Sequence, residues 1–161
     1  KMSVCSNSVI ETQEINDYAI GKGIIEGLFR DKLQNIVKRE AYANTDMLFT
    51  ASTKTRESHY SIEIKAIYKD YYKDEGFILK VSKWLAAIQD SDARDYTEGV
   101  YALYIVPKER SWYIFNLREI ELNTAHLENK MIKVTQYADS PKVLTPIILL
   151  YTNEAVLSGT Y

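Results

Sequence analysis

The sequence is poor in the residues that would settle its chemistry at a glance. It has one cysteine, Cys5, in 161 residues, which rules out an internal disulfide framework and a cysteine-rich zinc site and fits a reducing compartment. Two histidines, His59 and His126, leave little for histidine-based metal binding. Neither has an evident nucleophile beside it, which weighs against a serine or cysteine hydrolase. His59 reads as a surface or packing residue at a strand edge. No uninterrupted apolar run, residues 147 to 151 included, comes near the roughly 20 residues needed to cross a bilayer. The amino terminus lacks a signal-peptide pattern, so the expectation is a soluble, intracellular protein with no membrane partner. Excess positive charge is also missing. A net charge of −2 argues against a strongly basic nucleic-acid binder and leaves room only for a local basic face.

What the chain does have is enough length for one domain with its own core, and thirteen tyrosines that suit stacking or interface contacts. Residues 46 to 65, DMLFTASTKTRESHYSIEIK, stand out. Ile62, Ile64 and Ala66 alternate with Ser61, Glu63 and Lys65, as the two-residue period of a strand requires, so Glu63 and Lys65 share a face. Residues 46 to 52 are also strand-like, and the polar run 53 to 58 between the two reads as the turn of a hairpin. A turn centred on Lys54 and Thr55 sets Asp46 opposite Glu63, and one centred half a residue later sets Asp46 opposite Lys65. Facing Cβ atoms lie roughly 4.5 to 5.5 Å apart, a spacing at which two carboxylates can share one divalent cation.

Along the rest of the chain, residues 1 to 8 read as a frayed terminus and residues 9 to 20 as a short helix or loop, broken by Gly21-Lys22-Gly23. Residues 24 to 40 carry a helical stripe of Ile24, Ile25, Leu28, Phe29, Leu33, Ile36 and Val37, with Glu26 on its shoulder. Asp74 reads as the cap of a second helix, whose buried stripe is Phe77, Ile78, Val81, Trp84, Leu85 and Ile88. Lys80 and Lys83 fall on its opposite, wet side, where they would contact phosphates or keep the helix soluble. The acidic residues 89 to 95 lack the glycine and the closing glutamate of a calcium loop and read as a helix exit. Residues 100 to 106, apolar throughout, suit a central strand covered on both faces, and residues 112 to 117 make a second hairpin with it. Residues 118 to 123 are expected to extend that strand, 124 to 134 to form a weak helix, and 147 to 151 a late strand, either core or interface.

Helix, hairpin, helix and two further strands, with Asp46 opening one strand and Glu63-Ile64-Lys65 on the next, resembles the PD-(D/E)XK nuclease superfamily over residues 24 to 118. Thr45 stands where that family commonly has proline. The resemblance implies an α/β (α+β) fold with a central mixed sheet flanked by helices, an αβββαβ restriction-endonuclease-like or resolvase-like core, in a single domain with a C-terminal extension over residues 119 to 161. It implies a DNA endonuclease of restriction, homing or junction-resolving type that uses Mg²⁺ or Mn²⁺. Asp46, Glu63 and the Ile64 carbonyl would hold the ion, Lys65 would act on the attacking water, Glu26 would serve a second metal or its water, and Lys80 and Lys83 would meet DNA. Double-strand cleavage by one-site chains suggests a homodimer or a higher assembly built from dimers, with residues 147 to 151 and the second hairpin as its surface. The competing expectation is a binding or assembly module that keeps the fold and does not cut.

Overall fold

A computed structural model describes residues 2–40, 43–69, 72–94, 98–134 and 139–161, without the side chains of residues 2–8, 72 and 74. The elements are α1 (Met2–Phe29), β1 (Leu33–Lys38), β2 (Met47–Ser52), β3 (Glu57–Ala66), the short helix α2 (Tyr72–Glu75), β4 (Phe77–Lys80), α3 (Val81–Ala93), β5 (Gly99–Val106), β6 (Ser111–Asn116), β7 (His126–Lys133), β8 (Lys142–Leu150) and β9 (Leu157–Thr160). The main sheet has the order β1-β2-β3-β5-β6-β9, and β4-β8-β7 form a second sheet. β3 and β5 run parallel, and the main sheet's other pairs are antiparallel. This is a mixed α+β architecture that follows the αβββαβ order implied by the resemblance, with α2 and β4 inserted between β3 and α3.

β5 lies inside the sheet, and its alternation supplies both cores. Leu103 and Ile105 face α1, joined by Ile24, Ile25, Met47, Phe49 and Ile62. Val100, Ala102, Tyr104 and Val106 face α3 and the second sheet, joined by Phe77, Leu79, Trp84, Ile148 and Leu150. Each fully buried side chain of this size is worth about 1.5 to 3 kcal/mol. Two polar clasps tie the second layer down: the Trp84 indole N–H donates to the Leu117 carbonyl at 2.8 Å and the Tyr104 hydroxyl to the Ile78 carbonyl at 2.9 Å.

Several expected elements take another form. α1 is one helix that runs straight through Gly21 and Gly23. At Gly21 the missing side chain is what allows the helix to rest on β3, since a Cβ there would lie 2.8 Å from Ile64 Cδ1. The helix then ends at Phe29, ahead of a left-handed Arg30 (φ 50°). Residues 33 to 38 form edge strand β1, whose register slips between Gln34 and Val37 around a left-handed Asn35 (φ 51°). The helical stripe assigned to Leu33, Ile36 and Val37 is therefore a bulged strand.

The second helix does not start after Asp74. Gly76 (φ 81°) turns the chain, Phe77 and Leu79 go inward as alternate residues of β4, and α3 begins at Val81. Asp74's side chain lies outside the described residues. The acidic segment continues α3 as far as Ala93, and Asp95 falls outside the described residues. A tight helical turn over Leu117–Glu119 ends β6 instead of extending it, and the weak helix assigned to residues 124 to 134 is strand β7. Ile147, Ile148 and Leu150 are buried in the chain's own core, so they do not form an interface surface. Residues beyond 118 complete both sheets, through β9 on β6 and β8 on β4. Among the described residues no helix is long and apolar enough to cross a membrane.

Candidate active site

Met47 pairs with Ile62, so one step further along Asp46 stands level with Glu63. Of the two registers open to the hairpin, this is the one that opposes the carboxylates. The Asp46 backbone N–H bonds the Ile62 carbonyl at 3.0 Å, and its side chain continues the ladder where β2 has not yet begun, Oδ2 accepting the Ile64 N–H at 2.6 Å. Asp46 thus acts as a last rung between two strands, which fixes its carboxylate at the end of the hairpin.

Glu63 is held more firmly. β3 is hydrogen-bonded to β2 on one side and β5 on the other, with Glu63 beside Ala102 and Lys65 beside Tyr104. The residue is 7% exposed. Its Oε1 lies 3.4 Å from Lys83 Nζ, while Oε2 is buried with no hydrogen-bond partner among the described residues. Burial, reinforced by the charge of Asp46, pushes the Glu63 carboxyl up to about 7 against the pull of Lys83 and Lys65. Burial also lowers the Lys65 ammonium, and the neighbouring Glu63 partly offsets it.

These groups open into a cleft of about 850 Å³ between the N-terminal half of α1 and the end of the hairpin, lined by Asp46, Glu63, Ile64, Lys65 and Lys83. Glu11, Glu14, Asp17 and Tyr18 border it from α1, with Lys38 at the end of β1 and Arg39 just after it. The Tyr68 hydroxyl donates to Asp17 Oδ1 at 2.5 Å, and Lys38 Nζ sits 4.8 Å from the Tyr18 ring centre. Those contacts hold the overhanging part of α1 to the rim.

Asp46, Glu63, Ile64 and Lys65 are therefore brought together. Glu26 is not: it is exposed, pairs with Lys22 one turn back at 3.8 Å, and is absent from the cleft wall. The carboxylates of α1 that reach the cleft are Glu11, Glu14 and Asp17, on a stretch whose helical character was only loosely expected. Lys83 is turned inward onto Glu63 and not outward into water, because the residues before it form β4 and α3 starts later, on a different phase. That phase was readable in the alternation of Phe77 and Leu79 with Ile78 and Lys80. Lys80 itself closes β4 beside Ile147, half-buried and outside the cleft lining. A buried polar network also lies beneath the site and was not anticipated: Arg39 Nη1 donates to Thr45 Oγ1 at 2.8 Å, and Thr45 Oγ1 meets Ser61 Oγ at 2.6 Å.

No protein-family model matches the chain, and no curated protein matches its sequence. Among solved structures it is similar to Hjc, a Holliday junction resolvase from the archaeal hyperthermophile Archaeoglobus fulgidus. The TM-score is 0.51 at 11% sequence identity, over 90% of this chain and 91% of that one. At that identity the likeness speaks to architecture alone. The chain has the restriction-endonuclease-like fold, the fold of the PD-(D/E)XK nucleases that its Glu63-Ile64-Lys65 triplet resembles.

Proposed function

We propose that the protein is a divalent-metal-dependent DNA endonuclease, and of the kinds that share this fold, one that resolves branched DNA. The observation that carries the proposal is the pair Asp46 and Glu63, set level on adjoining strands in an open cleft with Lys65 on the same face. The likeness to a junction resolvase supports the branched substrate.

The residues present suit a hard cation. Glu63 Oε2 is a buried carboxylate oxygen with no partner among the described residues, and an uncompensated position of that kind calls for a counter-charge. Ile64 gives its N–H to Asp46. Because the N–H and C=O of a strand residue point to the same side, its carbonyl faces that end of the hairpin as well. Mg²⁺ or Mn²⁺ held by Asp46, Glu63 and the Ile64 carbonyl would supply Lewis-acid stabilisation of charge on the phosphoryl oxygens. Lys65 orients the attacking water and takes up its proton, a role helped by the burial that lowers its own affinity for one. Lys83, at the cleft wall, meets phosphate, with Lys80 behind it. The role first given to Glu26 falls to Glu11 and Glu14, the glutamates of α1 that border the cleft. Cutting both strands in one event calls for two such sites, hence a homodimer.

The test is cleavage of four-way junction, duplex and single-stranded DNA with Mg²⁺ or Mn²⁺, with light scattering to follow the mass on DNA. Junction cutting should fall by about 10²-fold or more in Lys65→Ala without loss of the fold, and stop in excess chelator. Undiminished cutting in either case overturns the mechanism. One observation favours the non-cutting module: among the described residues no three His, Cys, Asp or Glu side chains converge on one point. Calcium binding that disappears in Asp46→Ala decides for the metal site.

A further inference from the structure

Lys83 reaches Glu63 from a different layer of the molecule, and the details of that contact point to more than a structural ion pair. Its Nζ lies 3.4 Å from Oε1 of a carboxylate whose other oxygen is buried and, among the described residues, unpartnered. Lys83 keeps 31% of its side chain exposed while that of Glu63 keeps 10%. The acid is thus fixed and the base is free to swing. Lys83 sits in the first turn of α3 on a flexible four-carbon stem.

We infer that Lys83 is a stand-in cation: it neutralises Glu63 while no divalent ion is bound, gives up that place when one arrives, and carries its freed ammonium to the DNA phosphate. The inference rests on the metal-dependent reading above. Two cations cannot both sit against one carboxylate without repelling each other, and the ammonium is the one whose stem lets it leave. Metal and DNA binding are coupled through this exchange. The ion frees one phosphate contact, so the protein grips DNA with one more charge when the metal is present.

The test uses the full chain and Ca²⁺ alone, followed by titration calorimetry, in wild type, Lys83→Met and Lys80→Met, with Lys83→Gln in reserve should the first variant misfold. Removing a competing unit charge at contact distance should tighten Ca²⁺ binding by about tenfold. Lys80→Met carries the same charge change without the contact and should alter it far less. Four-way junction binding at several salt concentrations gives the second readout. With Ca²⁺ present, Lys83→Met should lose about one unit of salt slope relative to wild type, and with chelator the two slopes should coincide. Unchanged or weaker Ca²⁺ binding in Lys83→Met, or a slope deficit that persists in chelator, overturns the exchange and leaves the metal site standing. A wild-type chain that binds no Ca²⁺ overturns the metal site and the exchange with it.

Discussion

The Arg39 guanidinium grips the Asp90 carboxylate across 51 positions of sequence, with Nη1 2.6 Å from Oδ2 and Nη2 3.2 Å from Oδ1. Both side chains are nearly buried, at 8% and 12% exposure. Arg39 also donates its backbone N–H to the Asp46 carbonyl at 2.9 Å. Asp90 lies two turns beyond Lys83 on the same side of α3. One ion pair thus braces the strand end that carries Asp46 against the helix that carries Lys83.

Arg39→Met should cost about 3 kcal/mol of unfolding free energy, because it leaves a largely buried carboxylate without its main partner. Arg94, 3.2 Å from the same carboxylate, keeps the loss from being larger. Urea denaturation measures it. Replacing both residues, Arg39→Met with Asp90→Leu, should recover much of the difference, and a double variant as unstable as the single one would contradict the assignment.

Glu63 sets a pH dependence of known sign. Its folded value of about 7 stands above the ordinary 4.5, so between those values the folded chain binds a proton that the unfolded chain releases. Stability from this group is full below about pH 4.5 and is lost as pH rises through about 7, a change of about 3 kcal/mol at most. The difference between wild type and Glu63→Gln, in metal-free buffer, isolates it from other groups. A difference that stays flat from pH 4.5 to 7 would show the carboxyl to be ordinary.

Asp46→Asn keeps an oxygen to accept the Ile64 N–H and removes the charge. The Glu63 carboxyl should then titrate lower than in wild type, because burial remains and the repulsion from Asp46 is gone. Carbon-detected NMR of the glutamate carboxyls reads the shift directly. A Glu63 titration that is unmoved would mean the two carboxylates do not sense each other.

Ile148→Ala should destabilise the chain by about 3 kcal/mol. Ile148 is 1% exposed and pairs with Leu79 across β4 and β8. Because β4 leads straight into α3, loosening this contact should also disturb Lys83, so Ca²⁺ affinity should change alongside stability. Unaltered stability would remove β8 from the support of the site.

The parts of the fold that were legible in the sequence are those where one period held without a competitor. β3 alternates cleanly from Tyr60 to Ala66, and β5 is apolar from Val100 to Val106 because it is covered on both faces. β1 was hidden because Leu33, Ile36 and Val37 fit a helical period, and its bulge disturbs the strand period. β7 was hidden because it is exposed along most of its length and writes no buried face into its residues. Glu26 was expected beside the hairpin carboxylates, but the turn of α1 that borders the cleft carries Glu11 and Glu14. At 1.5 Å per residue, Glu14 and Glu26 lie about 18 Å apart along the axis, and the hydrophobic period of a helix does not say which turn overhangs the sheet. What decided it was Gly21, whose contact with Ile64 sets where α1 crosses β3. Lys83 was misplaced for a similar reason, since its direction depends on where α3 starts.

The placement of β3 between two bonded neighbours has a consequence for how the molecule breathes. Amides inside a sheet open to solvent only when much of the fold comes apart, while the exposed N-terminal part of α1 opens locally. Hydrogen exchange around Glu63 and Lys65 should therefore track global unfolding, and exchange over residues 9 to 16 should be far faster. One wall of the cleft is then timed by the lifetime of the whole protein and the other by the fraying of a helix, so the cleft widens on the clock of α1.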